Sequence, residues 1–240
     1  MIWESHFEQT ARFRFKNTMI RRDYILRMVE EFMQALQRMR ALKKDQLWSE
    51  ASSILNEEFN RLMGAGAQAI VGLTETELMA RVMQGEPTQA IHTKTLMLTT
   101  LLNEAGDLST ALNKMDESRA YYLRGLHLLL YVLAGSAIHD YPDFVPRVEH
   151  FAAALKGFQL PIETHAMLMQ HYERSGEYAK AEDALFNMLD QKLESRILEF
   201  GILFYERILG QTDANLSAGG LPRAEAESSL SELRERRSLQ

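Results

Sequence analysis

The side chains best suited to chemistry in this chain are its seven histidines and the acids beside them. A metal centre needs ligands converging from one face, and a helix brings residues three, four or seven apart onto one face. His165 and His171 are six apart, which turns them about 240° around a helix and leaves them unable to chelate one ion. No His-Glu-x-x-His run occurs, and no acidic loop has calcium spacing. His139 beside Asp140, and Glu149 beside His150, are the pairs that could serve acid–base chemistry. Neighbours on a helix point different ways, however, and solvent-facing histidines are common. Gly64-Ala65-Gly66 lacks the further Gly, Lys and Ser/Thr of a phosphate loop and reads as a helix stop. Neither a nucleophile elbow nor a dinucleotide fingerprint is present. Having no cysteine, the chain has no thiol nucleophile, no disulfide and no Cys-ligated zinc. These residues predict no catalytic group, no metal and no cofactor, and a protein that is not an enzyme.

The elements that must position any site are helical. Hydrophobic residues make up 46% of the 240, ordinary for a folded protein with a substantial core. Only 5 prolines occur, and no Val/Thr/Ile alternation supports strands. The longest apolar run, Leu126 to Ala134, contains His127 and falls far short of the roughly 20 residues that span a bilayer. Acids among the first residues argue against a secretory signal, and the lack of cysteine fits a reducing cytoplasm. The 13 methionines mostly fall on inward stripes and read as adaptable core filling.

The net charge of −6 is unevenly spread. Residues 1–44 hold ten Lys/Arg and five Asp/Glu, a net of +5, which leaves −11 for residues 45–240. Such a basic arm suits nucleic acid or an anionic surface, or it packs on the acidic body itself or on a neighbouring subunit.

Residues 1–18 interleave Phe7, Phe13 and Phe15 with Arg12, Arg14 and Lys16. They show no helical stripe and read as a flexible leader ahead of Met19, itself a candidate start. From Ile20 to Leu42 apolar residues step by three and four through Met28, Phe32, Leu36 and Met39, and a second helix follows Trp48. Thr74 with Glu77 is a capping-box pattern. A helix from Thr88 to Glu104 leads into Gly106, read as a turn, and then a long helix to about Ala134. His139 to Asp143 reads as a loop, and Phe144 to Leu155 as a further helix. Gly210 to Gly220 is polar and glycine-rich, a linker before a charged last helix. The expected organisation is a leader over 1–18, a helical repeat domain over 19–210, and a linker with a C-terminal helix over 211–240.

The clearest segment is Thr164 to Leu189. Leu168, Tyr172, Gly176, Tyr178 and Ala181 fall where a helical hairpin needs a packed face, a left-handed turn and a small contact residue. Their offsets resemble the tetratricopeptide repeat, with His165, Met169 and Leu193 departing from it. Ala51 and Ala111 occupy the corresponding small position in two weaker hairpins, 60 and 70 residues apart along the chain with Ala181. The resemblance implies an all-α fold of helical-hairpin repeats in a short right-handed solenoid. It also implies a concave face lined by the first helix of each hairpin. The inner positions project to Leu36, Arg40 and Lys43 in the first repeat and to Leu96, Thr100 and Asn103 in the second. In the third they are Ala166, Gln170 and Glu173. Leu36, Arg40, Lys43, Leu96, Thr100 and Gln170 are thus the candidate partner-binding residues. Arg40 and Lys43 make one end basic, suited to an acidic segment.

The run IRRDYILRMVEEFMQAL, with SEASSIL after the turn, also resembles a family of uncharacterised bacterial helical proteins carrying tetratricopeptide-like repeats. That resemblance is sharpest over 19–63 and implies no activity. The expected function is a cytoplasmic, non-enzymatic interaction or scaffold module whose partner is another protein or peptide, with self-association a further option. A nucleic-acid-associated regulator using the basic N-terminal arm is the alternative. Neither a membrane nor a cofactor is expected.

Overall fold

Between Trp3 and Lys44 the chain contains neither glycine nor proline, so nothing interrupts a helix once it has started. The computed structural model accordingly shows one helix, α1, over Trp3–Lys44. The structure describes residues 3–85, 88–135 and 142–239, with side chains from residue 23 on except those of 75, 88 and 89. The backbone of residues 3–18, expected as a non-helical leader, is thus the first part of α1. The phenylalanines at 7, 13 and 15 lie outside the described side chains. All regular structure among the described residues is helical, in twelve segments without a strand. The chain divides into two units, Met1–Val132 with Asp140–Leu155, and Leu133–His139 with Lys156–Gln240.

Unit 1 is built on α1, α2 (Trp48–Met63), α3 (Ala67–Val71), α4 (Glu75–Met83), α5 (Thr88–Ala111), most of α6 (Met115–Gly135) and α7 (Val148–Ala154). The inward stripe of α1 is as the spacing predicts: Met28, Phe32, Leu36 and Met39 are buried, and α2 sets Ala51, Leu55 and Phe59 into the same core. Gln46 turns the chain between these helices at φ 60°. Gly64 ends α2 in the left-handed conformation, so the Gly64-Ala65-Gly66 segment is indeed a stop. The Thr74–Glu77 capping box forms with both reciprocal bonds present.

The second hairpin is not where the sequence placed it. Gly106 lies inside α5 with its φ on the ordinary negative side, and the turn comes at Asn113, with φ 57°. Asn tolerates that left-handed region better than most residues. Gly106 serves instead as a hollow for the ring of Tyr122 from α6. Ala111, taken as a small contact residue, is exposed. Gly125 in α6 is likewise a helical hollow, filled by Phe151 of α7. Between α2 and α5 lie the short α3 and α4. The proposed loop over 139–141 lies outside the described residues.

Unit 2 contains α8 (Ile162–Ser175), α9 (Tyr178–Gln191), α10 (Ser195–Ile208), α11 (Asp213–Ala218) and α12 (Arg223–Ser238). The α8–α9 hairpin has the predicted form: Gly176 is the left-handed C-cap, and Leu168, Tyr172, Tyr178 and Ala181 are buried. The segment expected as a linker is instead packed structure. Thr212 caps α11 by accepting from the Asn215 N–H, and Leu216 and Leu221 are buried. The carbonyl of Gly219 accepts from the Ala179 N–H at 2.9 Å. A Cβ at Gly219 would collide with the Gly176 carbonyl and the Tyr178 ring, which is why glycine stands there. The last helix docks on α10 through Ala226, Leu230 and Leu233. Gly201 provides the close approach for Leu233 and for Leu185.

Candidate functional site

Five of the six residues expected to bind a partner lie in unit 1, and there the structure uses them internally. Leu36, Leu96 and Thr100 are 1%, 2% and 0% exposed. The Thr100 hydroxyl donates back to the Leu96 carbonyl at 3.0 Å. The reason is that α5 packs on α1, so positions assigned to one open face meet each other or face the interior. Asn103 is buried too, and its Oδ1 has no hydrogen-bond partner among the described residues.

Arg40 and Lys43 form an ion network rather than a free basic end. Arg40 Nε donates to Glu104 Oε1 at 2.7 Å, and Lys43 Nζ donates to Glu104 Oε2 at 2.6 Å and Asp107 Oδ2 at 2.8 Å. Tyr122 completes the chain by donating to Asp107 Oδ1 at 2.7 Å. Burial, then that hydrogen bond, raises the Tyr122 phenol well above its ordinary pKa. Glu104 is almost wholly buried, and an unpaired carboxylate there would carry a large desolvation penalty. Two cations against two acids satisfy the charges and tie α1, α5 and α6 together. A signal for this pairing was present in the sequence: Arg40 and Lys43, like Glu104 and Asp107, are three apart and so share a helix face.

The open grooves among the described residues include one on each unit. One, of about 510 Å³ between α1 and α2, has walls of charged and amide side chains, with Arg61 already bonded to Glu58. It offers no apolar anchor beyond Ala35. The other, of about 680 Å³, belongs to unit 2 and contains Gln170. Ile162, Ala166 and Gln170 of α8 form one wall, Ile197, Phe200 and Leu203 of α10 form the other, and Met188 of α9 contributes to the floor. Of the inner positions expected in the third repeat, Ala166 and Gln170 line this groove. Beyond the groove lining, toward the C-terminal ends of the two helices, Glu173 takes two bonds from Arg207, Nε to Oε1 at 2.7 Å and Nη2 to Oε2 at 2.8 Å. With Glu163 and Arg196 at the near end, that bridge shows α8 and α10 running in the same direction.

The contribution of α10 was missed. Its sequence carries more apolar residues than one buried face can hold. Leu198, Ile202, Phe204, Tyr205 and Ile208 fill the core, while Phe200 is partly and Leu203 43% exposed. That surplus was the available sign of a second, open face. The groove rim mixes Glu163, Glu194 and Glu199 with Lys192 and Arg196. Lys192 is paired to Glu194 and Glu199 to Arg237. Glu163 and Arg196 make no ion pair among the described residues.

The described histidines do not converge. His165 is nearly buried, and burial lowers its pKa. No group of three or more His, Asp or Glu among the described residues is placed to hold a metal ion. No helix among the described residues is long and apolar enough to cross a membrane.

Residues 19–238 match the model of a family of unknown function (DUF6483), and the chain belongs to that family. No curated protein and no solved structure matches it.

Proposed function

We propose that this member of a family without an assigned role is a non-enzymatic interaction module. Its α8/α10 groove holds a segment of another polypeptide, in the manner of tetratricopeptide-like hairpins. The observation that carries the reading is the groove itself. Two helices running in the same direction present Ala166, Phe200 and Leu203 to solvent around a concave space of about 680 Å³, within the range of ligand-holding clefts. Exposed apolar side chains gathered in a concavity, rather than scattered, mark interaction sites. The α8–α9 hairpin, with Ala181 fully buried and Gly176 at its turn, supports the tetratricopeptide-like assignment for unit 2. The first two projected repeats do not add to it. The proposed role is that of a scaffold in the cytoplasm, a reducing compartment that the cysteine-free composition suits.

Leu203→Asp tests the reading. Leu203 is 43% exposed, so the charge should leave folding intact by circular dichroism while removing an apolar anchor. The full chain and the variant are used as baits in extract from the native cell, with captured proteins identified by mass spectrometry. A protein held by the wild type and lost by the variant is the expected result. Partners captured equally by both would place binding elsewhere.

A further inference from the structure

Resting on the groove reading above, we infer that the occupant is a short extended peptide segment carrying an acidic residue that pairs with Arg196.

Length comes first. Along α8 the groove lining runs from Ile162 to Gln170, eight helical steps or about 12 Å. An extended chain spans that in about four residues at roughly 3.3 Å each. A helix confined to the same length has about eight residues, below the roughly 12–15 at which isolated helices begin to hold in water. It would carry its full ordering cost into binding.

The polar groups point the same way. Gln170 is exposed on the groove wall, and its carboxamide offers both donors and an acceptor. An extended backbone has unpaired N–H and C=O groups to meet them, whereas a helix has already bonded its own. Alternate side chains of an extended segment point to opposite sides. Every second apolar residue would therefore reach Ala166, Phe200 and Leu203.

Charge selects the remaining feature. Of the groove cations, Lys192 is bonded to Glu194, which leaves the exposed Arg196 guanidinium available. A planar guanidinium takes a carboxylate through two parallel hydrogen bonds. Glu163 at the same end disfavours a second acid beside the first.

The test pans the full-length protein against two displayed libraries, linear seven-residue peptides and a stable helical scaffold with one randomised face. Leu203→Asp serves as counter-selection. The expected result is enrichment from the linear library of sequences with alternating apolar residues and one Asp or Glu. A synthetic peptide of the enriched sequence should bind Arg196→Glu about tenfold or more weakly, and should recover when its acid is changed to Lys. Enrichment from the helical library alone would overturn the inference while leaving the groove reading in place. So would linear peptides that bind Arg196→Glu as tightly as the wild type. No enrichment over the Leu203→Asp control from either library would overturn both.

Discussion

The ring of Tyr122 lies so close over Gly106 that a Cβ on the glycine would come within 2.6 Å of Tyr122 Cε1. Two further ring atoms would be within 2.8 Å. The ring cannot easily withdraw, because its hydroxyl donates to Asp107 Oδ1 at 2.7 Å, one residue along α5. A glycine that reads as a turn in the sequence is therefore a contact surface between two helices. Ser118 strengthens the same contact by donating to the Gly106 carbonyl at 3.0 Å.

Gly106→Ala should accordingly destabilise the protein. Helix propensity alone would favour alanine by about 1 kcal/mol, but overpacking a close helix contact costs about 1–3 kcal/mol. The collision here involves several ring atoms, so the net is expected to be a loss. Ala111→Leu, at an exposed position, should stay within about 0.5 kcal/mol of the parent. Urea denaturation of the two variants checks the contrast. Equal losses would return Ala111 to a helix contact, and a stabilised Gly106→Ala would show that Tyr122 can move.

Glu104 offers a second check. Replacing one partner of a buried ion pair typically costs about 3–5 kcal/mol, because the other charge is left without compensation. Lys43 would retain Asp107, and Arg40 is about half exposed, so Glu104→Ala is expected at or below the lower end of that range. Arg40→Ala, losing a half-exposed partner, should cost much less. Chemical denaturation gives both values, and an Arg40→Ala loss as large as that of Glu104→Ala would contradict the burial difference.

In unit 2 the pH dependence centres on Glu182. Its Oε1 accepts from Tyr205 at 2.5 Å and from Ser229 at 3.2 Å, joining α9, α10 and α12. Burial raises its pKa above the ordinary 4.5, while those two hydrogen bonds oppose the shift and the nearby Glu225 and Asp183 add to it. A carboxyl with a raised folded pKa binds its proton more readily in the native state than in the unfolded one. Stability from this group therefore rises as pH falls through the raised value, levels off below 4.5, and is lost again as pH climbs. Glu182→Gln keeps an acceptor for both hydroxyls but does not titrate. Thermal melts of both proteins in a pH series should show the wild type gaining on the variant as acidity increases. A constant difference would remove Glu182 from the account.

The parts of the fold legible in the sequence are those governed by neighbours a few residues apart. The inward stripe of α1, the Thr74–Glu77 cap, the Gly64 stop and the α8–α9 hairpin depend on helical spacing and on conformations that Gly or Thr favours locally. Each appears where its residues predicted it. The all-helical class itself follows from the same local periodicity.

What only the tertiary structure decided are the choices between partners distant in sequence. Gly106 and Gly219 resemble helix stops and linker residues until Tyr122 and Tyr178 are brought against them. Arg40 and Lys43 resemble a free basic end until α5 brings Glu104 and Asp107 within 3 Å, more than sixty residues away. Phe200 and Leu203 look like further core residues on an apolar helix. Packing by α9 and α12 on the other side of α10 is what leaves them facing a groove. Local sequence sets which face of a helix is apolar, but burial and pairing depend on the surface opposite. That surface exists only once the chain has folded.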